Sequence, residues 1–450
     1  MSKIKDKFRR FLSENEDFRI FVTLLVVWGL SRIIMIALVP ITNLICETHH
    51  DWAMSINVWD AEHYAYIIKH GYTYPTDIDA QANWAFFPLY PIICIVLRTL
   101  TLNHLSAYVT GMIVSNVCIF IAAFYTAKIF MTLGKNYGNG RLVILREDSQ
   151  IFVNSNKKIV KLINKVLSKI TFKRQVDKFN DKGINLVWVY AGILLFATPY
   201  AFYAGSTYTE SLFIMCIALS FYNMLKKNYL GAGFFAMLTS ATRIVGCILV
   251  FPIVIEMFMD WKNNESIEFS RLKEGKKVFK CLGKFIGYEL KRPLDVFSVM
   301  IAPLGTFLYM LFLSIFCGDA WAFMHVQIAW RDDKYFPVIE VLWKACTGQL
   351  ELRYTYMGWL CIAAFALYGY MIYRKYISMA VFGIIALLIP LTSHVMSTPR
   401  FIMGAWITYV GVYDLLARMP RIFRILITTA LIVIETFMIF YWYQEFYWFM

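Results

Sequence analysis

Apolar runs of about 17–25 residues recur along the whole of this chain, the length at which a helix crosses the ~30 Å hydrocarbon core of a bilayer. Of the 450 residues, 59% are hydrophobic and only 16% are charged, whereas a soluble domain carries about 25% charged residues. Lipid offers no partners for unpaired backbone amides, so the spans must be helical. We therefore predict one all-α polytopic membrane domain over residues 1–450.

The net charge of +14 does not by itself indicate a nucleic-acid partner, because Lys and Arg concentrate in a few loops between apolar runs. The positive-inside rule places such loops in the cytoplasm. The nine cysteines form no Cys-x-x-Cys pair, and most lie in apolar runs, where cysteine behaves as a small hydrophobic residue. The sequence therefore predicts no nucleic-acid partner, no metal site and no cofactor.

Placing the basic loops inside and the acidic loops outside predicts about eleven membrane helices, with the N-terminus inside. Residues 41–105 follow the first span and carry six acids against one Lys and one Arg, which predicts an outer loop. Residues 133–184 hold twelve Lys or Arg against four acids, and residues 262–292 hold nine against four, so both loops are expected in the cytoplasm. Residues 317–352 are predicted to form a second outer loop, followed by spans at about 354–372, 377–393, 401–416 and 423–441.

Three shorter segments depart from the simple alternation of membrane spans and loops. Residues 86–101 are apolar but short, and a crossing there would put the basic loop 133–184 outside; we predict a juxtamembrane helix on the outer surface instead. Residues 229–260 have basic flanks at both ends, which predicts two short helices meeting near 241–243. Residues 157–172 place lysines opposite an apolar helical face, as in a helix lying on the anionic inner leaflet. A helix packed on a cytoplasmic partner is the alternative.

This topology can be tested by cysteine labelling. Single cysteines at 76–80 and 331–335 should react with an impermeant maleimide added outside, because both stretches lie in predicted outer loops. Cysteines at 155–160 and 273–277 should react only after the membrane is opened. Labelling of 155–160 from outside would mean that residues 86–101 cross the bilayer.

Residues 58–64 (VWDAEHY) concentrate reactive side chains just after the first span. Asp60 is the candidate general base, because removing a proton from a sugar hydroxyl requires a carboxylate within hydrogen-bonding reach. Trp59 and Tyr64 offer flat apolar faces of the kind that stack on sugar rings, and His63 could bind a phosphate or shuttle a proton. The alternative is a solvated loop with aromatic residues at the interface, where Trp and Tyr are common.

Two other acids of the outer loop are also candidates for a catalytic role. Asp51 is the better rival for the role of base. Glu62 is a second candidate for the chemistry, but it follows Asp60 by only two residues and could not readily occupy the opposite face of a sugar ring.

Later segments add candidate binding residues. Tyr208 and Glu210 lie at the predicted outer end of a span, where a glutamate is costly unless it is used or hydrated. Arg243 lies inside the membrane domain, and we expect it to bind a lipid phosphate or to pair with Glu210. Arg400 could clamp a phosphate or extend to the interface.

The segments WDAEHY, HGY, AFFPLYP, TPYAFYAGSTYTESLF and SATR follow one another from residue 59, with TPRF at 398–401. In this order they resemble the GPI mannosyltransferase 2 (PIG-V) family and its prokaryotic relatives. The resemblance implies a GT-C-like fold and transfer of a sugar, expected to be mannose, from a polyprenyl-phosphate donor to a glycan or lipid-linked acceptor on the extracytoplasmic face. By position, Asp60 resembles the first-loop catalytic carboxylate of such enzymes.

The membrane would be the plasma membrane of a prokaryote or the endoplasmic reticulum of a eukaryote. A transporter or flippase of lipid-linked sugars is the main alternative, although transporters tend to have repeated halves, and the two halves of this sequence do not resemble each other. A non-catalytic subunit of a transferase complex is a third possibility.

Overall fold

In a computed structural model, the described residues are 15–49, 51–73, 82–135, 186–265, 275–329, 337–446 and 448. Within these ranges every regular element is a helix, which confirms the all-α prediction there. The helix predicted at 157–172 lies outside the described residues, as do nearly all of the positions proposed for cysteine labelling.

The first half of the described chain contains long helices separated by short ones. They are α1 (Glu16–Cys46), α2 (Trp52–Ile56), α3 (Asp60–His70), α4 (Leu89–Leu100), α5 (Ala107–Lys135), α6 (Leu186–Phe196), α7 (Glu210–Leu225), α8 (Tyr229–Ser240) and α9 (Val250–Asn264). Single 3-10 turns precede α4, α7 and α9, at Asn83–Ala85, Ala201–Gly205 and Ile244–Leu249.

The second half continues in the same way. Its helices are α10 (Gly275–Glu289), α11 (Pro293–Ile301), α12 (Leu304–Cys317), α13 (Ala322–His325), α14 (Val338–Cys346), α15 (Leu352–Tyr373), α16 (Ile377–Leu391), α17 (Thr398–Gly404), α18 (Ile407–Arg418) and α19 (Arg421–Trp442). A 3-10 turn, Val326–Ala329, follows α13.

Five helical segments of the described chain are long and apolar enough to cross a membrane. They are Glu16–Cys46, Ala107–Leu133, Ile244–Asn264, Leu352–Tyr373 and Arg421–Trp442. The pair α11 and α12, bent by 45°, would be a sixth span if it crosses as one unit. These helices support a multi-pass membrane protein, while the count of eleven, which also needs shorter helices such as α6 and α7, stays a prediction.

Helix α4, at the predicted juxtamembrane segment 86–101, has 12 residues. At 1.5 Å per residue it is about 18 Å long, too short to cross the hydrocarbon core unaided. Tyr90 and Cys94 on one side are buried, whereas Ile92 and Val96 are about half exposed. The segment therefore forms a short helix with an apolar outer face, while its position along the membrane surface stays a prediction.

Two helix boundaries differ from the sequence prediction. The first span was expected to end at Pro40, but α1 continues through it and stops at Glu47, which adopts a left-handed conformation. The span predicted at 401–416 is instead divided into α17 and α18, because Ala405 is extended. The buried Trp406 fixes this break, since its indole N–H donates to Thr126 Oγ1 at 2.8 Å.

The predicted break at 241–243 is confirmed. Helix α8 ends at Ser240, and Arg243, in an extended conformation, precedes the 3-10 turn that leads to α9. The interruption is closely packed, because a Cβ added at Gly305 of α12 would lie 2.6 Å from the Ala241 backbone nitrogen. Irregular backbone at membrane depth is tolerated only where protein covers it, and α12 provides that cover.

A second irregular segment, residues 197–209, joins α6 to α7 and is almost entirely buried. It lies against α5, where Gly111 allows close approach to Thr207. The Thr207 hydroxyl donates to the Tyr108 backbone carbonyl at 3.0 Å. The Tyr90 hydroxyl of α4 donates to the Gly111 carbonyl at 2.9 Å. These contacts fix the position of the segment that carries several of the candidate site residues.

Gly111→Ala should lower the thermal unfolding midpoint, because a Cβ at this position would lie 2.3 Å from Thr207 Cγ2. Thr207 is buried and β-branched, so it cannot turn aside cheaply, and overpacking of this kind costs about 1–3 kcal/mol. Gly29→Ala in α1 is the matched control, since a Cβ there meets nothing within 4 Å. Equal melting of the two variants would show that Gly111 is not required for this close approach.

Candidate active site

Asp60 is the first residue of α3, so its carboxylate lies at the positive end of the helix dipole. The residue before it, Trp59, has φ 61° and ψ −122°, a conformation rarely adopted by a residue other than glycine and costing about 1–3 kcal/mol. Such an outlier persists only where the surroundings fix it. It turns the chain sharply into α3 and so determines where Asp60 lies.

The segment 197–209 contacts the loop before Asp60 and fixes its position. The Thr207 backbone N–H donates to Asn57 Oδ1 at 2.6 Å, and the Tyr208 hydroxyl donates to the Val58 carbonyl at 2.7 Å. The Trp442 indole at the end of α19 donates to the Ile56 carbonyl at 3.2 Å. Two segments distant in sequence, 197–209 and the end of α19, therefore hold the strained turn.

Glu210 begins α7 and is 3% exposed. Arg243 reaches it from the break between α8 and α9, with 2.5 Å between Arg243 Nη2 and Glu210 Oε1. Arg243 Nε also donates to Thr209 Oγ1 at 3.1 Å, and that hydroxyl lies 3.2 Å from the Tyr64 hydroxyl. The pairing of Arg243 with Glu210, one of the two roles expected for this arginine, is present in the structure.

Arg400 connects the two carboxylates. It lies in the first turn of α17, donates through Nη1 to Asp60 Oδ2 at 2.6 Å, and contacts Glu210 Oε1 through Nε. Its guanidinium also packs over the rings of Tyr208 and Tyr203, with 4.9 and 5.2 Å from Cζ to the ring centroids. Burial raises the pKa of Tyr203, so this ring is a neutral phenol beside the cation. Arg400 therefore does not extend to the interface but is enclosed by the site.

The two acids that Arg400 contacts differ in how far their side chains are exposed to solvent. The Asp60 side chain is 30% exposed, whereas that of Glu210 is 3% exposed. A substrate can therefore reach Asp60 directly but cannot reach most of Glu210. Within this site, two buried polar atoms have no hydrogen-bond partner among the described residues: Glu210 Oε2 and the indole nitrogen of Trp59. A polar ligand would be expected to satisfy such atoms.

The remaining predicted residues of the outer loop lie elsewhere. Asp51 caps α2, its Oδ1 accepting the Met54 backbone N–H at 2.7 Å. Glu62 is exposed and lines a separate cleft with Tyr108. His63 stacks on Phe86, with 4.9 Å between ring centroids. Neither Asp51 nor Glu62 has a described contact with Arg400 or Glu210, so the roles predicted for these two acids gain no support from this geometry.

Sequence reasoning missed residues that hold the site together: Asn57, Tyr203, Thr209 and Trp442. Tyr203 and Thr209 lie within the segment TPYAFYAGSTYTESLF, whose polar and aromatic density was a usable signal. Asn57 immediately precedes the VWDAEHY segment. Trp442 had no local signal, because a tryptophan at the end of an apolar helix is ordinary in a membrane protein.

Comparison with known proteins bears on the loop that carries Asp60. Residues 36–156 match the family model Mannosyltransferase (PIG-V). The resemblance to the PIG-V family is thereby confirmed over that stretch, which includes Asp60, whereas Glu210, Arg243 and Arg400 lie beyond it. No curated protein matched the chain. The family match and the long apolar helices together support a membrane mannosyltransferase.

Proposed function

We propose that this protein transfers mannose from a polyprenyl-phosphate donor to a glycan or lipid-linked acceptor on the extracytoplasmic face of its membrane, with inversion at the anomeric carbon. Asp60 is the general base, and Arg400 binds the phosphate of the donor. The observation that carries the proposal is the contact of 2.6 Å between a partly exposed carboxylate and an enclosed guanidinium. Such a pair offers a base and an anion site side by side.

The chemistry requires little beyond this pair. The donor phosphate leaves without a strong general acid, taking the electrons of the bond to the anomeric carbon. The acceptor hydroxyl attacks that carbon from the opposite face while its proton passes to a base. A retaining enzyme would need a second carboxylate as nucleophile, by analogy with glycosidases. Glu210 is the only other acid contacting Arg400 within the described residues, and it is buried, so direct displacement is the better fit.

Without substrate, Arg400 is shared between Asp60 and Glu210. Guanidinium groups bind phosphate with paired, charge-assisted hydrogen bonds, so a donor phosphate would compete with Asp60 for Arg400. Glu210 and its second partner Arg243 would keep Arg400 in place meanwhile. Binding of the donor would then release Asp60 to accept the acceptor proton. We propose this exchange of partners as the first step of the reaction.

Transfer by the purified protein is the direct test. The protein in detergent would be incubated with polyprenyl-phosphate-[14C]mannose and candidate glycolipid acceptors, and the label would be followed into product. Transfer without any other protein would support an enzyme and exclude a non-catalytic subunit. Movement of the labelled lipid across proteoliposomes without transfer would favour a flippase and contradict the proposal.

A further inference from the structure

Helix α10 packs against the end of one candidate membrane span and directly precedes another. The ring of Phe285 in α10 contacts the rings of Phe258 and Trp261 in α9, with 5.3 and 5.7 Å between centroids. Phe258 and Trp261 lie in the last two turns of α9, which ends the candidate span Ile244–Asn264. The bent pair α11 and α12 begins only four residues after α10 ends. Helix α10 is therefore held at the level where α9 would leave the membrane.

Two different sides of α10 are apolar. One side packs into the protein and includes Cys281 and Phe285, which are buried. The other side carries Leu282 and Ile286, one turn apart, which are 42% and 55% exposed with respect to the rest of the described chain. Leu290 directly follows the helix and is 68% exposed. We call Leu282, Ile286 and Leu290 the exposed stripe of α10.

Basic residues accompany this stripe. Lys284 is exposed, and at 3.6 residues per turn it lies about 160° around the helix from Ile286. Residues 275–292 hold six Lys or Arg against one acid. A helix with an apolar row on one side and lysines on the other is typical of a helix lying in the plane of a membrane surface, where anionic lipids attract its polar face.

The surroundings of α10 favour lipid as the occupant of the exposed stripe. Exposed apolar residues continue along the chain into α11, where Leu294, Phe297 and Met300 are each more than half exposed. Because α11 belongs to a candidate span, these side chains are the ones that would face acyl chains. Lys284 can reach the headgroup level through its long side chain, and anionic headgroups complement the positive charge of residues 275–292.

We propose that α10 lies in the membrane interface, with its exposed stripe among the acyl chains of anionic phospholipids and its lysines at their headgroups. Under the predicted topology these lipids belong to the inner leaflet, because residues 262–292 are predicted to be cytoplasmic. The inference does not depend on the proposed transferase activity.

Photocrosslinking tests which surface the exposed stripe meets. The full-length protein would carry the photoreactive benzoylphenylalanine in place of Ile286, in nanodiscs of dioleoylphosphatidylcholine and dioleoylphosphatidylglycerol in equal parts. Irradiation should add the mass of one phospholipid to the protein. The same replacement at Lys284 should give far less lipid adduct, because that side of the helix faces water.

The replacement at Leu282, on the same stripe, serves if the variant at Ile286 is not recovered. Adducts within the protein at both stripe positions would mean that another part of the chain covers the stripe and would overturn the proposal. Equal yields of lipid adduct on the stripe and at Lys284 would overturn it as well, because the helix would then not be oriented as inferred.

The identity of the captured lipid tests its charge. The adduct at Ile286 should contain dioleoylphosphatidylglycerol about twofold or more in excess over dioleoylphosphatidylcholine, since lysines near the surface attract anionic lipid. Lys284→Gln should lower this preference, whereas Lys375→Gln, which removes an exposed lysine from another predicted inner turn, should keep it. Equal capture of the two lipids with Lys284 present, or the same loss in both lysine variants, would overturn the assignment to anionic lipid.

Discussion

Asp60→Asn should lower turnover by about 10²–10⁴-fold, the contribution of a positioned general base. The amide oxygen of asparagine can still accept the hydrogen bond from Arg400, so the geometry of the site should survive while the basicity is lost. The KM for the donor should be unchanged or lower, because Arg400 then has one fewer anion to bind. Single-turnover transfer of labelled mannose at saturating donor measures the chemical step.

Two neighbouring acids provide matched controls for this variant. Asp51→Asn should cost little, since asparagine caps a helix about as well as aspartate and Asp51 caps α2. Glu62→Gln should also cost little, because Glu62 is exposed and makes no described contact with Arg400. Asp60 is not the base if Asp60→Asn retains more than about a tenth of wild-type turnover under conditions where chemistry limits the rate.

Arg400→Gln should raise the KM for the donor about tenfold or more, because a charge-assisted contact contributes about 1.5–3 kcal/mol. Arg400→Lys should recover only part of this loss, since a lysine is a point charge and cannot bridge two anions with a planar fork. Arg243→Gln should have a smaller effect on donor KM, because Arg243 contacts Glu210 but has no described contact with Asp60. Initial rates over a range of donor concentrations measure all three.

A structural role for Arg400 makes a different prediction. If Arg400 only joins α3, α7 and α17, its removal leaves Glu210 buried beside a single partner, and the unfolding midpoint should fall while the KM of the surviving enzyme stays normal. The two roles are therefore separated by measuring KM and thermal unfolding on the same preparations. A normal donor KM in both Arg400→Gln and Arg243→Gln would remove phosphate binding from the roles of these residues.

Local patterns predicted the parts of this fold that depend on local physics. The break at 241–243 was predicted from basic residues at both ends of one apolar run, and a short helix within 86–101 was predicted from the length of that apolar run. The break at Ala405 was missed because it depends on Trp406 reaching Thr126, a contact between residues 280 positions apart. Hydropathy contains no information about such a contact.

The candidate site could likewise be predicted from the sequence only in part. Asp60 was selected from the concentration of reactive side chains in VWDAEHY, and Glu210, Arg243 and Arg400 because a charged residue within a membrane domain or at its edge needs a partner or a function. The sequence could suggest that Arg243 meets Glu210, but not that Arg400 would contact both carboxylates. That contact depends on how α3, α7 and α17 pack, which is decided by tertiary structure and not by spacing.

The short helix α7 has a consequence for how the proposed lipid donor would reach the site. Its 16 residues measure about 24 Å, and it runs from Glu210 to Lys226 and Lys227, which are exposed. If these lysines lie at the headgroups of the inner leaflet, Glu210 lies about 6 Å below the opposite edge of a ~30 Å hydrocarbon core. Most of α7 is buried, so protein rather than lipid surrounds Glu210 at that depth. Under the proposed function, a polyprenyl phosphate would therefore lower its headgroup beneath the level of the surrounding headgroups to reach Arg400, while its chain remains among the lipids.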